Sequence, residues 1–179
     1  MATYYSNLIQ PEQTTPTTLP AIANIASVGQ HRGRLRYSRA EINFALGTDL
    51  ADDEVIRWLT LKSSDRIIEL HASSDADWHT VATFNIGLYL TGSNHDGAVA
   101  DEDRFGSAVD FVNAVSRTDV FKEAATLTDM DRGKPIWELL GESADTATSY
   151  DLTWQASANI TASAGAVNSV MEVYYVSGD

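Results

Sequence analysis

Four side chains that can bind a divalent metal lie close together between residues 71 and 79. They are the imidazoles of His71 and His79 and the carboxylates of Asp75 and Asp77, and both kinds of group coordinate such ions. Their spacing does not match the HxxxH pattern of a helical zinc site. Because aspartate also favours turns, a polar turn between two strands explains the same residues. We therefore predict no metal site here.

A second set of oxygen ligands occupies a polar loop at residues 92–103. Carboxylate and amide oxygens are the groups that hold Ca²⁺ in proteins, but their order here does not follow the EF-hand spacing. The simpler interpretation is an exposed acidic loop. Its ligand-type residues are Asn94, Asp96, Asp101, Glu102 and Asp103.

Signatures of catalysis are missing from the sequence. Serine, histidine and aspartate occur, but no G-x-S-x-G elbow and no glycine-rich phosphate loop is present. Paired carboxylates carry no information about glycoside cleavage in a chain with 25 acidic residues. The absence of cysteine excludes disulfides and thiolate chemistry. We predict a protein that is not an enzyme and needs no cofactor.

One basic cluster stands out, formed by Arg32, Arg34, Arg36 and Arg39. The first three alternate along a predicted strand and point to one face. Arginine suits bidentate pairing with carboxylates across a subunit or shell contact. The alternative is a solvent-exposed strand face whose arginines form ion pairs with the chain's own acidic residues, which add little to the stability of the fold.

The tryptophans are predicted core residues, with one exception. Trp78 sits in the polar segment S-D-A-D-W-H, so we predict that it is exposed. Exposed aromatic residues anchor protein interfaces and also stack on sugars. Trp78 is therefore a candidate contact residue, and it leaves open a carbohydrate-binding module as an alternative function.

The net charge of −13, from 25 acidic and 12 basic residues, restricts the partners. Nucleic acids and anionic membranes both attract lysine and arginine, so neither is a predicted partner. The N-terminus has no secretory signal pattern, and no apolar run approaches the roughly 18–20 residues that span a bilayer. We expect synthesis in the cytoplasm.

Residues 1–30 differ in composition from the rest of the chain. They contain Pro11, Pro16 and Pro20, three of the four prolines, and proline favours extended conformations in and before it. We predict an extended N-terminal arm, which is either a loose leader or a segment that orders against a neighbouring subunit. Its candidate contact residues are Tyr4, Tyr5, Leu8 and Ile9.

Residues 31–179 have the pattern of one antiparallel β-sandwich domain. Six or seven strand-like runs are expected, including 54–62, 66–72, 81–90, 150–158 and 168–176, with no alternation of helices and strands. Residues 92–134 resemble an insertion that is partly helical. Within it, apolar spacing predicts a helix at 108–115 and the start of another at 116–119.

An ordered set of short pieces resembles the capsid decoration, or cement, proteins of tailed bacteriophages. The pieces lie at 53–59, 67–70, 84–89 (F-N-I-G-L-Y), 105–110 (F-G-S-A-V-D), 135–145 (P-I-W-E-L-L-G-E-S-A-D), 150–153 (Y-D-L-T) and 173–176 (V-Y-Y-V). Together they cover most of residues 30–178. The N-terminal arm and the long segment 111–134 depart from the family pattern.

The resemblance implies a jelly-roll-like β-sandwich that binds the outside of a phage head. Its partners would be the major capsid protein and further copies of itself, as a trimer or dimer. It would be found on the capsid surface of the virion, and in the host cytoplasm during assembly. The family supplies no catalytic residues. The alternative from another class is a glycan-binding β-sandwich of a virion fibre or lectin type.

Overall fold

The fold was analysed in a computed structural model, which describes residues 34–44, 50–76, 78, 82–124, 126–160 and 167–178. These residues form mainly β-structure. A single helical turn, α1, spans Ile136–Leu139, and a 3-10 turn spans Asp129–Asp131. The strands are β1 Leu35–Phe44, β2 Val55–Lys62, β3 Arg66–Ser74, β4 Thr83–Leu90, β5 Val99–Asp110, β6 Val115–Asp119, β7 Ser149–Ala156 and β8 Val167–Val176.

The strands form two four-stranded sheets with the orders β1-β8-β3-β6 and β2-β7-β4-β5. All neighbouring strands are antiparallel. The chain moves from one sheet to the other at each connection except the β4–β5 hairpin. Two interleaved four-stranded antiparallel sheets of this kind define a jelly roll, so the predicted sandwich is confirmed.

Alternation of apolar residues explains most of the strands, with one shift. In β2, Ile56 and Trp58 are buried, and so is Leu61. The pairing of β2 with β7 shifts between Arg57 and Leu59, which makes Trp58 the extra residue of a bulge. The extra residue of such a bulge reverses the direction of the following side chains. Strict alternation would place Leu61 on the face opposite Trp58, and the bulge brings both side chains to the same core.

The segment predicted as a partly helical insertion contains the strands β5 and β6 and the loops that connect them. Residues 108–110 end β5, residues 111–114 form a non-helical connection, and residues 115–119 form β6. The helices predicted there are wrong, because pairing with β4 and β3 holds the residues on either side of the connection in strands. Within the described part of 92–134, the 3-10 turn at Asp129–Asp131 is the helical element.

An aromatic cluster fills the space between the sheets. The Trp154 ring lies 4.6 Å from that of Phe111 and 5.4 Å from that of Phe84. Trp78 joins this cluster, with its ring 4.6 Å from Phe44 of one sheet and 5.4 Å from Phe84 of the other. Trp78 is only 2% exposed. The prediction that it is exposed is therefore wrong, because distant rings bury a residue whose neighbours in sequence are polar.

Neither helical element in the described residues is long and apolar enough to cross a membrane.

Candidate functional site

The outer face of the β1-β8-β3-β6 sheet carries the most distinctive exposed side chains. Along β1, the alternate residues Ala40, Ile42 and Phe44 pack against the core. The intervening side chains, among them Tyr37 and Arg39, therefore project outward. We define the β1–β8 surface as Leu35, Tyr37, Arg39, Arg117, Glu172 and Tyr174.

Two tyrosines form the centre of the β1–β8 surface. Tyr37 of β1 lies directly opposite Tyr174 of β8. Their ring centroids are 4.8 Å apart and the rings are inclined by 42°. The Arg117 guanidinium lies 5.8 Å from the centre of the Tyr174 ring, within the range of a cation–π contact.

Glu172 ties these side chains together. It accepts a 2.7 Å hydrogen bond from the Tyr37 hydroxyl and a 2.5 Å bond from Arg117 Nε. Arg39 Nε lies 3.8 Å away. The bonds from Tyr37 and Arg117 lower the pKa of Glu172. The bond to Glu172 also raises the pKa of the Tyr37 hydroxyl. The carboxylate is thus ionised at neutral pH and holds its neighbours in place.

Exposure makes this surface suited to contact with another macromolecule. Leu35 is 67% exposed and Tyr37 is 49% exposed, while the Arg117 side chain is 47% exposed. Interface centres are enriched in tyrosine and arginine. Side chains already fixed by hydrogen bonds lose less conformational entropy on binding. The surface therefore has the residue types and the exposure that are typical of protein interfaces.

The predicted contact residues are only partly described by the structure. Arg34 precedes β1, and Arg36 and Arg39 lie within it, all exposed. Arg34 and Arg36 belong to the row of β1 that continues into Ala40, whereas Arg39 belongs to the outward row. The predicted contact residues that lie outside the described residues are Tyr4, Tyr5, Leu8, Ile9 and Arg32.

The candidate metal ligands have other partners. His71 Nε2 lies 3.0 Å from a Glu69 oxygen, and Asp75 accepts two hydrogen bonds from Asn168. Asp77 and His79 lie outside the described residues. In the part of the chain that the structure describes, no group of three or more His, Asp or Glu side chains is arranged to hold a metal ion.

The acidic loop is shorter than predicted, because Asp101, Glu102 and Asp103 belong to β5. In the remaining loop, Asp96 accepts a 3.3 Å hydrogen bond from the backbone of Asn94. This hydrogen bond lies within the β4–β5 connection and gives Asp96 a structural role there.

A buried carboxylate, Asp151, holds that connection against the second sheet. It is 1% exposed and lies 3.0 Å from Arg57 Nη1, which in turn lies 3.1 Å from the Leu90 carbonyl. Burial would raise the pKa of Asp151, but its hydrogen bonds outweigh that effect and lower it. The other groups bonded to Asp151 are Thr60, Thr91 and His95. With its oxygens occupied in this way, Asp151 has a structural role.

Sequence reasoning missed the partners of Tyr37 on the β1–β8 surface. Glu172 is 135 residues away in the chain from Tyr37, and Arg117 is 55 residues away from Glu172. The available signal was the alternation of Glu172 and Tyr174 along β8, which places both on one face. That alternation does not predict the order of the strands in the sheet, which decides which side chains lie next to Glu172 and Tyr174.

The jelly-roll topology of the described residues defines a β-sandwich, and comparison with a solved structure agrees with that fold class. The fold is similar to a chain in the capsid of Ralstonia phage GP4, with a TM-score of 0.52 and 12% identity over 82% of this chain and 86% of that chain. A chain of the cyanophage Pam1 capsid asymmetric unit aligns over 91% of this chain and 99% of its own length, at 15% identity and a TM-score of 0.46. No family model and no curated protein sequence matches the chain.

Proposed function

We propose that the protein is a non-enzymatic structural component of a phage virion that binds the outside of the capsid shell and stabilises it. The observation that carries the proposal is the jelly roll that this chain shares with a chain of the GP4 capsid. The resemblance of its sequence pieces to decoration proteins points in the same direction. The partners are the major capsid protein and further copies of this chain.

The β1–β8 surface supports this role as a contact site. Its exposed Tyr37 and Leu35 supply apolar area, and Arg117 and Arg39 supply hydrogen-bond donors at its centre. A protein that binds only the assembled lattice stabilises that lattice by mass action. Many copies on one shell add avidity. The predicted N-terminal arm would add a second contact through Tyr4, Tyr5, Leu8 and Ile9.

The glycan-binding alternative loses the residue on which it was based. It required Trp78 as an exposed stacking platform, and Trp78 lies in the core. Among the described residues, Tyr37 and Tyr174 form an aromatic pair on the exposed outer face of the sheet. We keep glycan binding as an outcome of the test below.

The proposal is tested by co-sedimentation of the purified protein with purified phage heads, before and after shell expansion. We expect saturable binding at a copy number compatible with the lattice, together with a higher resistance of the loaded heads to heat. Absence of binding to either form of the shell would overturn the proposal. Binding to a glycan array, abolished by Tyr174→Ala, would then identify the alternative.

A further inference from the structure

β1 differs from the other three edge strands of the two sheets. Sheet edges present unpaired backbone groups, and proteins protect them with bulges, short strands or covering segments. β6 has five residues and an irregular register. β2 and β5 both contain register shifts. β1 has ten residues that pair with β8 without a shift. Among the described strands, β8 is its one partner.

The core-facing row of β1 is incompletely covered. Ala40, Ile42 and Phe44 pack against the core but remain partly exposed, and no residue of β1 is fully buried. Every other long strand contains fully buried residues. Apolar surface at this edge would gain free energy if a further strand covered it.

The outward charges of β1 are complementary to themselves in one antiparallel arrangement. Arg39 and Glu41 lie on the same row, 2.7 Å apart, with side chains 45% and 51% exposed. A two-fold axis at Ala40 places Arg39 of each copy opposite Glu41 of the other. A shift of the axis to Arg39 would place the two Arg39 side chains against each other, which is unfavourable. The charges thus oppose indiscriminate pairing and favour one register.

We propose that two copies of this chain pair antiparallel through their β1 edges, with Arg39 of each copy bonded to Glu41 of the other. The contact is isologous, as in most homodimers. It joins the two β1-β8-β3-β6 sheets and brings both β1–β8 surfaces to the same side. The inference develops the self-association included in the proposed function, but it does not depend on binding to a shell.

The experiment uses the full chain alone and measures mass by sedimentation equilibrium over a range of concentrations. We expect the wild type to dimerise. Arg39→Glu and Glu41→Arg should each weaken dimerisation at least about tenfold, because each places like charges opposite each other in the pair. Glu142→Arg, which makes the same charge change as Glu41→Arg at an exposed residue outside the strands, should leave dimerisation unchanged.

An equimolar mixture of Arg39→Glu and Glu41→Arg provides the decisive arm. In a heterodimer both pairs between positions 39 and 41 again have opposite charges, so the mixture should recover the dimer that neither variant forms. Circular dichroism and thermal unfolding confirm that both variants are folded. A monomeric wild type, an oligomer that ignores both charge reversals, or a mixture that stays monomeric would each overturn the proposal. Because no shell is present, these failures are distinct from a failure of shell binding.

Discussion

The ring of Tyr37 packs against the ring of Tyr174 across the β1–β8 pair, with 4.8 Å between their centroids. The Tyr37 hydroxyl also donates a hydrogen bond to Glu172, which lies two residues before Tyr174 on the same face of β8. Two strands from opposite ends of the described chain thus share one aromatic and charged surface. Its side chains are ordered before any partner arrives, which lowers the entropic cost of binding.

The Tyr37–Glu172 hydrogen bond makes a prediction about the pKa of Glu172. Tyr37→Phe retains the ring and removes the hydroxyl, which contributes most to lowering that pKa. The Glu172 pKa should rise towards its ordinary value, as measured by carboxyl-carbon NMR during a pH titration. Tyr175→Phe, whose ring packs against the core, is the control and should leave it unchanged. An unaltered Glu172 pKa in Tyr37→Phe would show that the bond is not formed.

Asp151 predicts a pH-dependent part of the stability. Its folded pKa lies below the ordinary value, so its contribution is complete above the unfolded pKa of about 3.9 and is lost as pH falls through the folded pKa. Asp151→Asn should cost about 3 kcal/mol at pH 7, because it leaves the partly buried Arg57 without its charged partner. In urea unfolding from pH 7 to pH 3, the difference in free energy of unfolding between the wild type and Asp151→Asn should shrink as the pH falls. A deficit that is constant with pH would contradict this account.

Gly87 is required by the close approach of β5. A Cβ there would lie 2.2 Å from the Asp101 carbonyl oxygen, a backbone atom that cannot move aside. Gly87→Ala should therefore destabilise the protein by more than about 3 kcal/mol. Gly141→Ala is the matched control, since Gly141 has φ +78° and no atom within 4 Å of such a Cβ. Backbone strain alone should cost about 1 kcal/mol there. Equal losses of unfolding free energy in the two variants, measured by chemical unfolding, would contradict this prediction.

Trp78 is predicted to affect stability through the core. Trp78→Ala removes a ring that contacts both sheets and should cost about 3–5 kcal/mol in chemical unfolding. Met130→Ala, at a side chain that is 86% exposed, should change the stability by less than about 0.5 kcal/mol. A Trp78→Ala protein with wild-type stability would place the ring at the surface after all.

The local sequence pattern was sufficient to predict the positions of strands that alternate apolar and polar residues or consist of short apolar runs. β2, β4, β7 and β8 fall close to their predicted ranges. Residues 108–115 were assigned to a helix because Phe111, Val112 and Val115 fit a helical period as well. The strands at the two ends of this segment depend on pairing with β4 and β3, which are distant in sequence. Short apolar spacing cannot distinguish these outcomes.

The site was less accessible to sequence reasoning than the fold. Arg39 was a predicted contact residue, and it lies on the β1–β8 surface. Trp78 was assigned from the polarity of its neighbours, whereas Phe44 and Phe84 decide its burial. The pairing of β1 with β8 brings Tyr37 to Tyr174, and no local signal specifies which strands become neighbours in a sandwich.

The most direct test of the central claim is a binding isotherm with phage heads, measured by co-sedimentation. The account predicts that the wild type saturates the lattice and that Tyr174→Ala, which removes a central ring of the β1–β8 surface, binds about 30-fold more weakly. Met130→Ala, at the exposed 3-10 turn, should bind as the wild type does. A folded Tyr174→Ala protein with wild-type affinity, or a wild type that does not bind, would contradict the account.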